Sequence, residues 1–204
     1  MKATILAMAS MLVMTAFSGT VSAQADKLQP GDALPAMNVS LKNTIGKNTT
    51  LKEAAGKNGL LVMFSCNTCP FVVRNESIIK KTMEFATANN VGMVILNSNE
   101  AKRGGDDSYE AMKAYAKTQG YTVPYLADEN SKLADLFGAS HTPEIYLFNN
   151  KMELVYKGAM NDNPSEPANY KKMYIVDAIN AMVAGKPVDP KTTKSVGCSI
   201  KRKA

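Results

Sequence analysis

Histidine occurs once in the 204 residues, at His141, and cysteine three times, at Cys66, Cys69 and Cys198. A single imidazole excludes sites built from several histidines. Three cysteines exclude a fold stapled throughout by disulfides, since two can pair and one is left over. No apolar run reaches the ~20 residues that span a bilayer. No basic stripe is interleaved with aromatics, so the sequence carries no nucleic-acid surface, and it contains no internal repeat. What remains, with 45% hydrophobic and 21% charged residues, suits one globular domain with a sizeable core.

The first residues have their own character. Lys2 precedes an apolar and small-residue run from Ala3 to Phe17, and Ser18 to Ala23 are small or polar, ending Val21-Ser22-Ala23. That order reads as a secretory signal peptide over 1–23 cleaved after Ala23, which places the mature chain in the periplasm or outside the cell. No cysteine stands at the cleavage point to carry a lipid, so no membrane anchor is expected after cleavage. The chain has 24 basic against 18 acidic residues, and loss of Lys2 leaves 23 against 18, a surplus of +5. Lys191, Lys194, Lys201, Arg202 and Lys203 crowd the end. The expected division is therefore a domain over 24–190 and a solvated basic tail over 191–204 that contains Cys198.

Hydrophobic patterning orders the elements. Pro30-Gly31-Asp32 opens the domain, and alternation at Met37, Val39 and Leu41 predicts a half-buried strand, with a short return strand after Asn43. Gly59 to Phe64 and Val91 to Leu96 are continuous apolar runs, the mark of strands buried on both faces. Between them Phe71, Ile78 and Phe85 recur every seven residues and predict one helix to about Asn90. Asp107 with Glu110 predicts the N-cap of the next helix, and Arg74 and Arg103 read as solvated charges. Val123 to Leu126 is short and extended. Asp128 caps a brief helix burying Leu133, Leu136 and Phe137 and stopping at Gly138. Glu144–Phe148 and Met152–Tyr156 form a hairpin across Asn149-Asn150-Lys151, and a last helix spans Ser165 to Ala184. Strands alternating with helices, followed by a hairpin, imply an α/β fold: a mixed central sheet covered by helices, with an N-terminal strand extension.

Cys66-Asn67-Thr68-Cys69 lies where a buried strand gives way to a helix. Two thiols at this spacing can close a small disulfide ring, and a helix N-terminus stabilises a thiolate. Cys66, nearer the N-terminus, is expected to attack, and Cys69, one turn into the helix, to resolve. Zinc sites share the C-x-x-C spacing, so the pair alone does not settle redox against metal chemistry.

Thr142-Pro143, immediately before the hairpin, resembles the thioredoxin superfamily, in which a cis-proline lies against the active-site pair and the neighbouring backbone binds the substrate chain. The resemblance implies a thioredoxin-like fold and a substrate-binding role for Thr142 and Pro143. Further segments are similar to the peroxiredoxin-like branch of that superfamily, of the alkyl hydroperoxide reductase/thiol-specific antioxidant and redoxin type. They are Phe64–Val72, Asn97-Ser98-Asn99, Pro124–Glu129, Thr142-Pro143-Glu144, Tyr156-Lys157-Gly158 and Gly197–Lys201. True peroxiredoxins place a Thr or Ser three residues, and a Pro seven residues, before the peroxidatic cysteine. Here Met63 and Gly59 precede Cys66 at those distances, and Cys66 and Val62 precede Cys69, which argues against peroxide reduction as the main activity.

The resulting expectation is an exported thiol–disulfide oxidoreductase, with an antioxidant role in its background, that needs no cofactor. Its partners are protein or small-molecule thiols and disulfides, among them a redox partner protein. Cys198 is expected either as a third redox thiol folding back on the pair or as a spare surface cysteine. The alternative is a copper- or zinc-binding protein using Cys66, Cys69 and His141.

Overall fold

Two apolar runs build the centre of the molecule. In a computed structural model that describes residues 27–203, Gly59–Ser65 forms β2 and Val91–Asn97 forms β3, paired in parallel from Gly59↔Val91 to Ser65↔Asn97. The signal peptide expected over 1–23 lies outside the described residues. In chain order the remaining elements are β1 (Lys42–Asn43), α1 (Leu51–Ala54), α2 (Pro70–Arg74), α3 (Glu76–Ala88), α4 (Tyr109–Gln119), β4 (Tyr125–Ala127), α5 (Lys132–Phe137), β5 (His141–Thr142), β6 (Glu144–Phe148), β7 (Leu154–Gly158), α6 (Tyr174–Val183) and β8 (Cys198–Ser199). Six strands form one mixed sheet in the order β1-β4-β3-β2-β6-β7, and β5 pairs antiparallel with β8 beside it.

Alternation along the strands divides the interior in two. Leu61, Met63, Met93, Ile95, Ile145 and Leu147 face a core closed by Ile78, Ile79 and Met83 of α3, Met112 and Ala116 of α4, and Ile175 and Ile179 of α6. Leu60, Val62, Phe64, Val94, Leu96, Tyr146 and Phe148 face the other core, closed by Leu51 of α1, Leu133 and Phe137 of α5, and the opening segment at Leu28 and Leu34. Each fully buried Leu, Val or Phe contributes on the order of 1.5–3 kcal/mol relative to exposure, so β2, with no exposed position, is anchored firmly. That anchoring fixes Cys66, the next residue.

Several elements differ from their sequence patterns, each for a local reason. The strand expected over 37–41 is absent: Ala36 takes a left-handed φ of 52° and Val39 is 50% exposed, leaving a bridge from Leu41 to Thr49 and the short β1. The helix after the cysteines is two helices. At Asn75 (φ −93°, ψ 8°) the chain kinks, and the buried Asn75 amide donates to the carbonyls of Phe71 (2.8 Å) and Pro164 (2.8 Å). The last helix begins at Tyr174, because Pro167 opens only a single 3₁₀ turn over Pro167–Asn169. Leu136, expected in the core, is 46% exposed. Asp128 does cap α5, accepting from the N–H groups of Leu133 (2.8 Å) and Ala134 (3.0 Å), and Gly138 ends it at φ 66°.

The tail expected to be solvated is docked. Lys157 N–H donates to the Lys191 carbonyl and Thr193 N–H to that of Lys157. Ile200 is buried in the second core, and Arg202 reaches Asp135 at 2.6 Å and the Ala139 carbonyl at 2.7 Å. Residues 191–202 are thus part of the domain.

Candidate active site

Pro70 decides how the two cysteines are presented. Proline lacks an N–H and suits the first helical position, while the residue before it is pushed out of the α region. Accordingly Cys69 is extended (φ −66°, ψ 123°) and is the N-cap of α2, and Cys66 precedes the helix altogether. This corrects the sequence expectation that Cys66 sits at the helix start with Cys69 one turn inside. Nor is Cys66 the more exposed thiol, since each is 2% accessible.

Both sulfurs converge on Thr142. Cys66 Sγ lies 3.5 Å from Thr142 Oγ1, and the Cys69 thiol donates to the Thr142 carbonyl at 3.2 Å. The Thr142–Pro143 peptide is cis, as the resemblance implied. Cys198 completes the cluster. It is the register partner of Thr142 in the β5–β8 ladder and is partly exposed, and its pKa feels the neighbouring Cys69 thiol and the Phe71 N–H. The backbone edge of Thr142 is therefore occupied by this chain's own strand.

Negative charge is directed to Cys69. Hydrogen bonding from Cys66 lowers the Cys69 pKa against the opposing effect of burial, assisted by Cys198, Thr142 and the Val72 N–H. Cys66 is pushed up, first by its hydrogen bond to Cys69, then by burial and by the nearby Asp107 charge. These opposed influences make Cys69 the more acidic thiol of the pair.

Asp107 is the functional residue the sequence concealed. It reads there as a helix cap, but Ser108 caps α4, accepting from Ala111 N–H at 3.3 Å. Asp107 is fully buried behind the cysteine loop and accepts from Asn67 N–H (2.9 Å), Asn97 Nδ2 (2.7 Å) and Asn99 Nδ2 (3.0 Å). Tyr125 donates its hydroxyl to Asn67 Oδ1 at 2.7 Å. Arg103, expected in solvent, folds over this network and donates to the carbonyls of Asp107 (2.8 Å) and Asn97 (2.7 Å). Arg74 is exposed and donates to the Ser165 carbonyl at 2.8 Å. The Asp at the C-terminal side of an Asn-Ser-Asn loop was the available signal, but only the fold reveals which way its side chain turns.

The alternative ligand set is not assembled. His141 Nδ1 shares a hydrogen bond with Ser140 Oγ at 2.8 Å, and among the described residues no three His, Cys, Asp or Glu side chains form a group able to hold a metal ion.

A central mixed sheet, a dithiol at the end of β2 and a cis-proline beside it define a thioredoxin-like redox protein. The chain belongs to the Redoxin family, whose pattern matches residues 29–174. It is 34% identical to an uncharacterized conserved protein from Geobacillus kaustophilus, covering 87% of this chain and 94% of that one with a TM-score of 0.78. Identity to a hypothetical protein from Sinorhizobium meliloti 1021 is 32%, over 89% and 98% of the two chains, with a TM-score of 0.77. At the level of fold alone it is similar to a secreted disulfide oxidoreductase from Mycobacterium tuberculosis: 14% identity, 74% and 97% covered, TM-score 0.52. No curated protein matches it. The protein is an oxidoreductase of the thioredoxin-like class.

Proposed function

We propose that the protein is an exported thiol–disulfide oxidoreductase whose electrons pass through the Cys66–Cys69 couple. The observation that carries this reading is the convergence of both sulfurs on Thr142, which holds them side by side at the end of an immobile strand. In the reducing direction the pair loses two electrons and two protons as its sulfur–sulfur bond forms, and a partner disulfide is cleaved to two thiols. In the oxidising direction the same bond breaks and a partner dithiol closes. Cys69 is the more readily ionised of the two thiols. Thr142 and Pro143 form the wall against which sulfur exchange occurs.

No cofactor enters the reaction, and the partners are protein or small-molecule thiols and disulfides, including a redox partner protein. Peroxide is a poor substrate in this reading. Met63, Gly59 and Val62, which stand where peroxide-binding groups would be needed, are all enclosed within β2 and offer no hydroxyl. The reading places the mature chain in the periplasm or outside the cell, where an antioxidant role through thiol repair is consistent with the chemistry. No helix among the described residues is long and apolar enough to cross a membrane.

The test is titration of the mature protein in thiol–disulfide buffers, with alkylation and mass spectrometry to follow Cys66 and Cys69. The expected result is one reversible two-electron transition between roughly −270 and −120 mV, with insulin-disulfide reduction abolished by Cys69→Ser. A pair that fails to cycle would make the disulfide structural and end this reading.

A further inference from the structure

The redox pair is buried at 2% exposure, yet a partner's sulfur must line up with a protein sulfur to exchange with it. Of the three thiols only Cys198 reaches the surface. It is held by more than a passing contact. β8 pairs with β5 so that Cys198 stands opposite Thr142, the residue that touches both buried sulfurs. Gly197 makes the approach possible, because a Cβ there would lie 2.1 Å from the Thr142 carbonyl oxygen. Beyond Cys198, the Ile200 N–H donates to Ser140, the Lys201 N–H donates to Asn99 Oδ1 at 2.8 Å, and the Lys201 carbonyl accepts from Ala101. The thiol is thereby tied to the same Asn99 that donates to Asp107.

Resting on the reading of Cys66–Cys69 as the redox couple, we propose that Cys198 is the exchange thiol through which an external dithiol or disulfide communicates with the buried pair. Starting from the Cys66–Cys69 disulfide, Cys198 loses its proton to solvent and attacks Cys69 Sγ. The Cys69–Cys198 bond forms, the Cys66–Cys69 bond breaks, and Cys66 leaves as a thiolate that takes up a proton. A thiolate of the external dithiol then attacks the outward Cys198 sulfur, forming a mixed disulfide and expelling Cys69 as a thiolate. The second external thiolate closes on the first, releasing Cys198, which is reprotonated. The external dithiol has lost two electrons, and the protein disulfide has gained them. Run backwards, the same steps reduce an external disulfide.

The surroundings favour the second exchange, in which Cys69 is the leaving sulfur. Burial and the hydrogen bond to Cys69 hold the Cys198 pKa up while Cys69 is anionic. In the disulfide form the Cys69 charge is gone, so burial alone opposes the Cys198 thiolate, and Lys201 and the Phe71 N–H work against that burial. Cys69, the sulfur that carries charge most readily, is the one expelled, and low-pKa thiols leave fastest.

Two variants of the mature protein test the proposal. Oxidised Cys66→Ser is expected to contain an intramolecular Cys69–Cys198 disulfide, identified by peptide mass spectrometry without reduction. Cys198→Ser is expected to keep a Cys66–Cys69 couple that reaches both end states in glutathione buffer, but at least ~10-fold more slowly than wild type, since direct attack on enclosed sulfurs is restricted by access. Absence of the Cys69–Cys198 disulfide, or a wild-type rate in folded Cys198→Ser, overturns it. Neither result touches the redox reading itself, which fails only if the wild-type pair does not cycle at all.

Discussion

At the residue scale, two of the buried acids, Asp107 and Glu76, have opposite surroundings. Asp107 is saturated by amide and backbone donors. Glu76, at the start of α3, accepts the hydroxyls of Tyr115 (2.6 Å) and Tyr121 (2.9 Å) on Oε1, but its Oε2 has no partner. Burial raises the Glu76 pKa, partly offset by the two tyrosines and Lys80. For an acid whose folded pKa is raised, the stability contribution is complete below the unfolded pKa and is lost as pH rises through the folded value. Glu76→Gln cannot ionise, so its stability relative to wild type should climb as the pH rises through and above the ordinary glutamate range. Paired thermal melts across that interval check this, and a constant difference would assign the titration elsewhere.

At the element scale, the β5–β8 ladder is two residues long and depends on Gly197. Gly197→Ala should lower stability by about 1–3 kcal/mol, the usual cost of overfilling a packed site, and should slow disulfide exchange with little effect on far-ultraviolet circular dichroism. A loss of exchange without any change in urea midpoint would argue that the Thr142 contact is not the one disturbed. This ladder also marks where sequence reading stops. The strands Gly59–Phe64 and Val91–Leu96, the 144–156 hairpin and the Gly138 stop were legible because burial on both faces, turn residues and a left-handed exit leave strong composition signals. The kink at Asn75 was not, because it hangs on an amide reaching the carbonyls of Phe71 and Pro164, the second of them 89 residues away. The Asp107 network was hidden because its side chain turns inward, to the Asn97 and Asn99 amides of the preceding loop and to the distant Asn67 N–H, rather than onto its own helix. The positions of Cys66, Cys69, Thr142 and Pro143 were readable. Which thiol is the more acidic was not, because that turns first on how the two sulfurs meet, then on burial, and then on Cys198, more than a hundred residues downstream.

At the scale of the whole molecule, a stretch of Lys, Thr, Gly and Ser that reads as solvent-borne closes the second core through Ile200. Ile200→Ala should cost about 2–5 kcal/mol, as for a core aliphatic rather than a tail residue, and urea denaturation measures it. A change within ±0.5 kcal/mol, typical of surface positions, would return the segment to the surface.

The position of β8 after every other strand and helix has a consequence for how the molecule comes into being. Its partner, β5, lies 56 to 58 residues upstream by register and outside the six-stranded sheet. A two-residue ladder is weak by itself, so the outlet depends on the anchors beyond it, Ile200 in the second core and the bonds of Lys201 to Asn99 and Ala101. A nascent or partly unravelled chain would keep its reactive pair without an outlet. Maturation of the fold and readiness to trade electrons thereby become a single event.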